Sequence, residues 1–241
     1  MRDAVKNVVE RGARTTPGKH LLHAATRPEV ISERFSEVST WPDAVSGFED
    51  LAFMFTSSQL NHGVASLRFD EAAFLFGLAR GIERARIVEI GRFKGGSTFI
   101  MAAAMQPGST IASYDLHVPL RDDLQGPDLD RDLLAALERY DIAAGVDLVV
   151  ADSRTVELPA PGVDLLFIDG DHTYEGASSD IERWSPLLRV GGDLVLHDAV
   201  DTGGYGNVYP GVTRAVAELV GRGGFARERD AGTMAHLVRH S

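Results

Sequence analysis

The distribution of apolar and polar residues divides this chain into an irregular first part and a regular second part. From about residue 66 onward, short apolar runs of strand length alternate with segments in which apolar residues recur at helical spacing. Helices are predicted at residues 68–81, 97–105, 131–140, 177–188 and 212–220, and strands at residues 87–90, 110–114, 147–150, 163–168 and 193–196. This alternation is typical of a parallel α/β sheet.

The two ends of the chain complete the predicted architecture. Residues 225–228 and 234–238 are short strand-like segments that predict a closing hairpin. The fold class is therefore α/β, with a doubly wound, mostly parallel sheet of seven strands. The first part of the chain contains helical patches and turn signals such as Trp41-Pro42-Asp43. We predict an irregular, partly helical N-terminal extension over residues 1–65 and one α/β domain over residues 66–241.

Composition excludes several classes of function. The formal net charge of -11, from 35 acidic and 24 basic residues, disfavours general binding of nucleic acid phosphates. The chain has no cysteine, so any metal must bind oxygen or imidazole. No apolar run reaches the roughly 20 residues that span a bilayer, and the first residues lack the apolar core of a secretory signal. We expect a cytoplasmic protein with no nucleic acid or membrane partner.

The strongest local signal is a glycine turn between the first predicted strand and the helix that follows it. The strand ends near Glu89, Gly91 and Gly95 form the turn, and Ser97 opens the helix. Glycine turns tightly and lets a ligand approach without interference from a Cβ atom. Unpaired amides at the helix start would face the strand ends, where open α/β sheets bind ligands. The pattern predicts a nucleotide-cofactor site, although its glycine spacing differs from that of dinucleotide folds.

Polar side chains also follow the next two predicted strands. Asp115 lies 24 residues after Gly91, where an acidic side chain can accept hydrogen bonds from ribose hydroxyls, or it could simply cap a loop. Asp152 and Ser153 follow the third strand, and their side chains either meet the edge of a base or form a turn. These positions are candidates for cofactor binding.

Acidic and imidazole side chains crowd the ends of the fourth and fifth strands. Asp169, Asp171 and His172 follow the fourth strand, and His197 and Asp198 follow the fifth. Carboxylates held close together repel one another and need protons, donors or a cation. Because neighbouring parallel strands end at the same edge, Asp169 and Asp198 could share a hard divalent ion such as Mg²⁺. Three roles stay open for His197: a metal ligand, a residue that supports a ligand, or a packing residue.

His172 is the candidate for proton transfer. A neutral imidazole can take a proton from a hydroxyl at ordinary pH, and His172 stands among carboxylates. Asp171 and Glu175 could instead stabilise the start of the next helix, as acidic residues often do. We favour that helix role for Glu175.

These motifs resemble those of the class I S-adenosylmethionine-dependent methyltransferases, in particular the small-molecule O-methyltransferases that include sugar-modifying and catechol-type enzymes. The likeness covers roughly residues 68–240. It implies a Rossmann-like methyltransferase fold with S-adenosyl-L-methionine as cofactor. The implied cofactor contacts, from the methionine part through the ribose to the adenine ring, are Glu89, Gly91, Gly95, Ser97, Asp115, Asp152 and Ser153, together with Asp169.

The resemblance also implies a metal and a base. In metal-dependent members, an aspartate after the fourth strand and acidic or amide residues after the fifth hold Mg²⁺, and Asp169 and Asp198 fit those places. His172 occupies the position of the base in the catechol-type enzymes, and Asp171 that of the base in another branch. Relatives carry Asp-Asn or Asp-Asp after the fifth strand, whereas this chain has His197-Asp198-Ala199.

The resemblance therefore implies an S-adenosylmethionine-dependent and Mg²⁺-dependent O-methyltransferase. The expected acceptor is a hydroxyl of a saccharide or glycosylated natural product, and the expected assembly is a homodimer or higher homo-oligomer. Tyr205 and Tyr209 could close over the acceptor or merely anchor their loop. The alternatives are a metal-independent methyltransferase that uses His172 as base, a non-catalytic protein that binds S-adenosylmethionine, and a nicotinamide enzyme.

Overall fold

The computed structural model describes residues 33–38, 41–55, 63–118, 125–202 and 209–241. Within these ranges the α-helices are α1 (Phe69–Gly81), α2 (Gly96–Ala104), α3 (Gly126–Arg139), α4 (Tyr174–Trp184) and α5 (Pro210–Arg222). The strands are β1 (Arg86–Ile90), β2 (Thr110–Asp115), β3 (Val146–Val150), β4 (Val163–Ile168), β5 (Leu188–Leu196), β6 (Phe225–Ala231) and β7 (Met234–Arg239). None of the helices in these ranges is long and apolar enough to cross a membrane.

The seven strands form one sheet in the order β3-β2-β1-β4-β5-β7-β6. Strands β1 to β5 are parallel, β7 runs antiparallel to β5, and β6 runs antiparallel to β7. The prediction of a mostly parallel sheet with a closing hairpin is confirmed. The strand order reverses between β1 and β4, and a crevice opens at such a reversal in doubly wound folds.

Helices cover both faces of the sheet. Successive strand residues point to opposite faces, so a sheet that is buried on both sides reads as continuous apolar runs. Ile87 and Val195 face the core that contains residues of α1, α2 and α3, whereas Val88 and Leu194 face the core beneath α4 and α5. The result is a three-layer α/β/α domain, as predicted.

The described part of the N-terminal extension packs onto this domain. Short 3-10 helices at Phe35–Glu37 and Phe48–Met54 bury Phe35 and Met54, and the ring centroid of Phe35 lies 5.1 Å from that of Phe99 in α2. Asp132 of α3 accepts a hydrogen bond from Arg34 at 2.7 Å. These segments are therefore part of the main core. The domain boundary near residue 65 stays a prediction.

Some predicted element bounds are wrong. Strand β5 begins at Leu188 and runs through Gly191, where the pairing with β4 shifts register, so the glycines lie inside the strand and not before it. Helix α4 ends at Trp184, because Pro186 lies in the 3-10 turn that follows. Helix α3 begins at Gly126 and not near residue 131, because Pro127 suits the first turn of a helix.

Candidate functional site

The carboxyl ends of β1, β4 and β5 lie side by side and carry the candidate site. The amide of Asp169 donates to the carbonyl of Ile90 at 2.8 Å, so the ladder between β1 and β4 continues one residue beyond β4. The amide of His197 donates to the carbonyl of Ile168 at 3.0 Å. The sheet thereby places Asp169 beside His197, although 28 positions separate them in the chain.

Four of the predicted site residues meet at this edge: Asp169, His172, His197 and Asp198. One possible ligand atom of each lies within 4.8 Å of the others. Nδ1 of His197 is 3.0 Å from Oδ1 of Asp169, and Nε2 of His172 is 3.3 Å from the same oxygen and 3.2 Å from Oδ2 of Asp198. We call these four residues the strand-end cluster.

The strand-end cluster fits a divalent cation. Nε2 of His172 is buried and makes no well-directed hydrogen bond, although two carboxylate oxygens lie close to it. A buried polar atom without a partner is costly. Asp198 also adopts a left-handed backbone conformation, with φ 53°, which costs energy for a residue with a Cβ atom. A cation bound among these carboxylates and imidazoles would give each donor atom a partner.

Charges within the strand-end cluster interact strongly. Burial tends to raise the pKa of Asp169, but the neighbouring histidines, His197 foremost, outweigh burial and lower this pKa to about 2. Burial tends to lower the pKa of His172, but Asp169 and Asp198 outweigh burial and raise it to about 9. His172 therefore holds a proton at neutral pH unless another positive charge lies beside the two carboxylates.

Glu71 supports the strand-end cluster through a contact with His197, and the sequence analysis did not identify it. Helix α1 carries this buried residue, and its Oε2 atom lies 3.3 Å from Nε2 of His197. Its other oxygen accepts hydrogen bonds from the amide and hydroxyl of Thr233 at 2.7 and 2.9 Å. Burial tends to raise the pKa of Glu71, but the contacts with His197 and with backbone amides lower it to about 2. No local signal could reveal a contact that spans 126 positions.

The glycine turn lies next to the strand-end cluster, and the positive φ angles of Gly91 and Gly95 confirm the tight turn expected of these glycines. Gly91 has φ 90°, and a Cβ atom there would lie 2.1 Å from the carbonyl oxygen of Asp169. Gly95 has φ 83°, and its Cβ atom would lie 2.5 Å from the side chain of Leu133. Both positions require glycine because of the backbone angle and of contacts inside the protein. Close approach of a ligand is not needed to explain them.

Glu89 and Ser97 bond to each other inside the protein. The carboxylate of Glu89 has no exposed surface and accepts hydrogen bonds from the hydroxyls of Ser97, Thr98 and Ser113. Burial raises the pKa of this carboxyl group. The contacts join the start of α2 to β1 and β2, so both side chains shape the turn from within. No described side chain caps the start of α2.

Asp115 braces the glycine turn from β2. Its Oδ2 atom accepts hydrogen bonds from the amides of Arg92 and Phe93 at 2.9 Å each, and its Oδ1 atom accepts one from the amide of His117 at 2.6 Å. The loop-capping role is therefore present. A carboxylate has about four acceptor sites, so a ribose contact at the same residue stays possible on this geometry.

Residues 88–199 match the family model described as a methyltransferase domain. This segment contains both the glycine turn and the strand-end cluster. An uncharacterised protein of Acanthamoeba polyphaga mimivirus is 28% identical over 137 residues, a match that covers 55% of this chain and 59% of the viral protein. The chain thus spans less than two thirds of the length of that relative.

Solved structures of methyltransferases share the fold of this chain. The O-methyltransferase TomG of Streptomyces achromogenes is 20% identical with a TM-score of 0.54, over 73% of this chain and 82% of TomG. The methyltransferase PaMTH1 of Podospora anserina is 15% identical with a TM-score of 0.57, over 83% and 89% of the two chains. The O-methyltransferase NovP is 15% identical with a TM-score of 0.57, over 75% and 84%. At this level of identity the likeness shows the fold alone.

A buried ion pair also supports the glycine turn, and the sequence analysis did not identify it. Arg92 lies in the turn, and its Nε and Nη2 atoms bond the two carboxylate oxygens of Asp130 in α3 at 2.8 Å each. Nε2 of His117 lies 2.8 Å from Asp130. The acidic residue of α3 is 38 positions from its arginine, so local sequence patterns carry no sign of this contact.

Asp152 and Ser153 form a turn after β3. Asp152 pairs with Arg154 at 2.7 Å, and this contact lowers the pKa of Asp152 to about 2. The hydroxyl of Ser153 donates to Asp180 at 2.6 Å, and its carbonyl accepts a hydrogen bond from the indole of Trp184 at 3.0 Å. The turn that we considered as an alternative is thus present, and it anchors α4.

The remaining predicted residues lie around His172. The Oδ1 atom of Asp171 accepts the amide of Thr173 at 2.9 Å, which holds this carboxylate near the start of α4 and apart from the strand-end cluster. The ring of Tyr209 lies 4.3 Å from that of His172, at an interplanar angle of 34°. Tyr209 thus borders the cluster, whereas Tyr205 lies outside the described residues.

Proposed function

We propose that this protein is an S-adenosylmethionine-dependent O-methyltransferase that uses a divalent cation and acts on a hydroxyl of a saccharide or glycosylated natural product. The observation that carries the proposal is the strand-end cluster, which lies beside the glycine turn of a methyltransferase domain. The cofactor is supported by structures of the same fold, since TomG was solved with S-adenosylmethionine and PaMTH1 with S-adenosylhomocysteine. TomG and NovP are both described as O-methyltransferases.

In this proposal the cofactor lies along the ends of β1 and β2. The amides at the start of α2 would hold its carboxylate, because helix N termini favour anions. Asp115 would accept hydrogen bonds from the ribose while it keeps the backbone of Arg92 and Phe93 in place. When bound, S-adenosylmethionine supplies the electrophilic methyl group.

The acceptor would lie over the strand-end cluster. Asp169 and Asp198 would hold the cation, and the chemistry that a bound divalent cation supplies is a lower pKa for the acceptor hydroxyl. His172 would accept the hydroxyl proton at Nε2, which already lies between the two carboxylates. Asp171 is less suited to that role, because its carboxylate is engaged by the amide of Thr173.

A saccharide acceptor is supported by the resemblance to sugar-modifying enzymes and by the placement of aromatic rings. The described rings of Phe35, Trp41 and Phe99 pack against one another or in the core, whereas Tyr209 stacks on His172. A tyrosine beside a cluster of polar groups suits a hydroxyl-rich acceptor. It would also limit the access of water to the proton on His172.

Calorimetric titration with S-adenosylmethionine and S-adenosylhomocysteine tests the cofactor first, with a divalent cation present and after chelation. We expect micromolar binding to the parent protein. Asp115→Ala should weaken binding by roughly tenfold or more, because it removes hydrogen bonds to a charged group worth about 1.5–3 kcal/mol each. Absence of binding under both conditions would overturn the proposal.

A methyl-transfer assay tests the roles of the cation, the base and the acceptor. It measures release of S-adenosylhomocysteine over a panel of saccharides. Asp198→Ala should nearly abolish turnover and leave cofactor affinity close to that of the parent. His172→Ala should depress turnover more than binding and should change the pH profile. Turnover that resists chelation and Asp198→Ala would favour the metal-independent alternative. Cofactor binding without turnover on any hydroxyl acceptor would favour a non-catalytic binding protein.

A further inference from the structure

The ring of His197 lies among three carboxylate groups. Its Nε2 atom is 3.3 Å from Glu71, and its Nδ1 atom is 3.0 Å from Asp169 and 3.6 Å from Asp198. The side chain is only 10% exposed. Each ring nitrogen therefore has a defined neighbour, and the two nitrogens face groups on opposite sides of the ring.

Glu71 is held firmly at the Nε2 side of this ring. Its Oε2 atom also accepts the amide of Arg68 at 2.7 Å, and its Oε1 atom accepts the amide of Thr233 at 2.7 Å. Gly232 has φ 58°, and a Cβ atom there would lie 2.4 Å from Oε1 of Glu71. The surrounding backbone thus leaves little room for the carboxylate to move.

A proton on Nε2 is needed for contact with this carboxylate. A neutral ring then presents the lone pair of Nδ1 to oxygen atoms of Asp169 and Asp198, which is repulsive unless a cation lies among them. Metal-bound histidines are commonly oriented in this way, with the other ring N–H donated to a carboxylate. With His172 kept as the base, the protein ligands beside Asp169 and Asp198 would include one imidazole nitrogen, Nδ1 of His197, whereas Mg²⁺ takes oxygen ligands and retained waters.

We infer that His197 ligates the cation through Nδ1, that Glu71 is the positioning residue for its ring, and that the site binds a transition-metal ion such as Mn²⁺ in preference to Mg²⁺. The inference rests on the proposed cation site and specifies its protein ligand and its metal.

Two substitutions of His197 separate its two nitrogens. His197→Gln places an amide nitrogen near the position of Nε2 and keeps the contact with Glu71, but it removes the ligand at Nδ1. His197→Asn places an amide oxygen near the position of Nδ1 and loses the contact with Glu71. His236→Gln is the matched control, because His236 is also a buried histidine paired with a carboxylate, with Nε2 2.7 Å from Asp193.

Dissociation constants for Mn²⁺ and Mg²⁺ alone, measured by calorimetry without cofactor or acceptor, give the test. The parent should bind Mn²⁺ more tightly than Mg²⁺, and His236→Gln should keep that ratio. His197→Gln should weaken Mn²⁺ binding by about 10- to 100-fold, the range seen when metal-site partners are removed. His197→Asn should bind both ions with a much smaller preference for Mn²⁺, because an oxygen replaces the nitrogen.

Glu71→Gln distinguishes positioning from a purely structural role. If the role is structural alone, the substitution should lower the melting temperature of the metal-free protein and change the Mn²⁺ and Mg²⁺ affinities by the same factor. If Glu71 positions His197, the substitution should reduce Mn²⁺ affinity more than Mg²⁺ affinity. Equal affinity of the parent for the two ions, no binding of either, or an unchanged ratio in His197→Asn would each overturn the inference. Cofactor binding and methyl transfer are measured separately, so the methyltransferase proposal can stand if this inference fails.

Discussion

Removal of Asp130 should destabilise the protein strongly, because it leaves the charge of Arg92 buried without its main partner. The side chain of Arg92 is 0% exposed and that of Asp130 is 15% exposed. Two hydrogen bonds of 2.8 Å join them, and a third bond runs from Arg92 to the carbonyl of Ser113 at 2.6 Å. In Asp130→Ala the guanidinium keeps that bond and longer contacts of 3.3 Å with the hydroxyl of Ser113 and with Nε2 of His117, but it loses both hydrogen bonds to a carboxylate.

Breaking a buried ion pair by removing one partner costs about 3–5 kcal/mol, because the remaining charge stays in a medium of low polarity. In a protein of this size each kcal/mol lowers the melting temperature by about 2–4 °C. We therefore expect a decrease of about 6–20 °C for Asp130→Ala. Because Arg92 lies in the glycine turn, cofactor affinity should fall as well.

Urea unfolding, followed by circular dichroism, measures the loss in free energy of unfolding for Asp130→Ala, Arg92→Met and the double variant. The double variant should lose less than the sum of the two single variants, since it buries no unpaired charge. The exposed pair of Arg227 and Asp230, at 41% and 39% exposure, provides the control, and Asp230→Ala should cost less than about 1 kcal/mol. A loss below about 1 kcal/mol for Asp130→Ala, or strict additivity in the double variant, would refute this reasoning.

Two further predictions follow from glycine and glutamate positions. Gly91→Ala should lower the free energy of unfolding by more than about 2 kcal/mol, because residue 91 has φ 90° and the added Cβ atom would lie 2.1 Å from the carbonyl oxygen of Asp169. A Cβ atom at Gly77 in α1 would meet nothing within 4 Å, so Gly77→Ala should stabilise the protein by about 0.5–1 kcal/mol. The urea midpoints of the two variants check both predictions, and similar midpoints for Gly91→Ala and Gly77→Ala would contradict the steric argument. Burial raises the folded-state pKa of Glu89, so its contribution to stability is full below the ordinary carboxyl pKa and is lost as pH rises through the folded-state value. The free energy of unfolding of Glu89→Gln should therefore increase relative to that of the parent as pH rises above the ordinary carboxyl pKa, and parallel pH profiles would count against a raised pKa.

Much of the fold was predictable because it depends on local patterns. Strand β4 is apolar from Val163 to Ile168 except at Asp164, and α1 repeats apolar residues at helical spacing, so each shows its type within a few residues. The bounds of β5 were harder to predict. Its pairing with β4 shifts register near Gly191, and such a shift is decided by the partner strand and leaves no local sign.

The sequence by itself determined that a glycine turn, Asp169 and Asp198 would lie along one edge, because parallel strands end on the same side of a sheet. Only the tertiary structure decided how their side chains are used. Glu71 reaches His197 across 126 positions because α1 packs on the same face of the sheet, and Asp130 reaches Arg92 because α3 packs against the turn. Strand and helix periodicity is a property of neighbouring residues and can be recognised in a short stretch of sequence. These two contacts depend on how whole elements pack, so no short stretch of sequence predicts them.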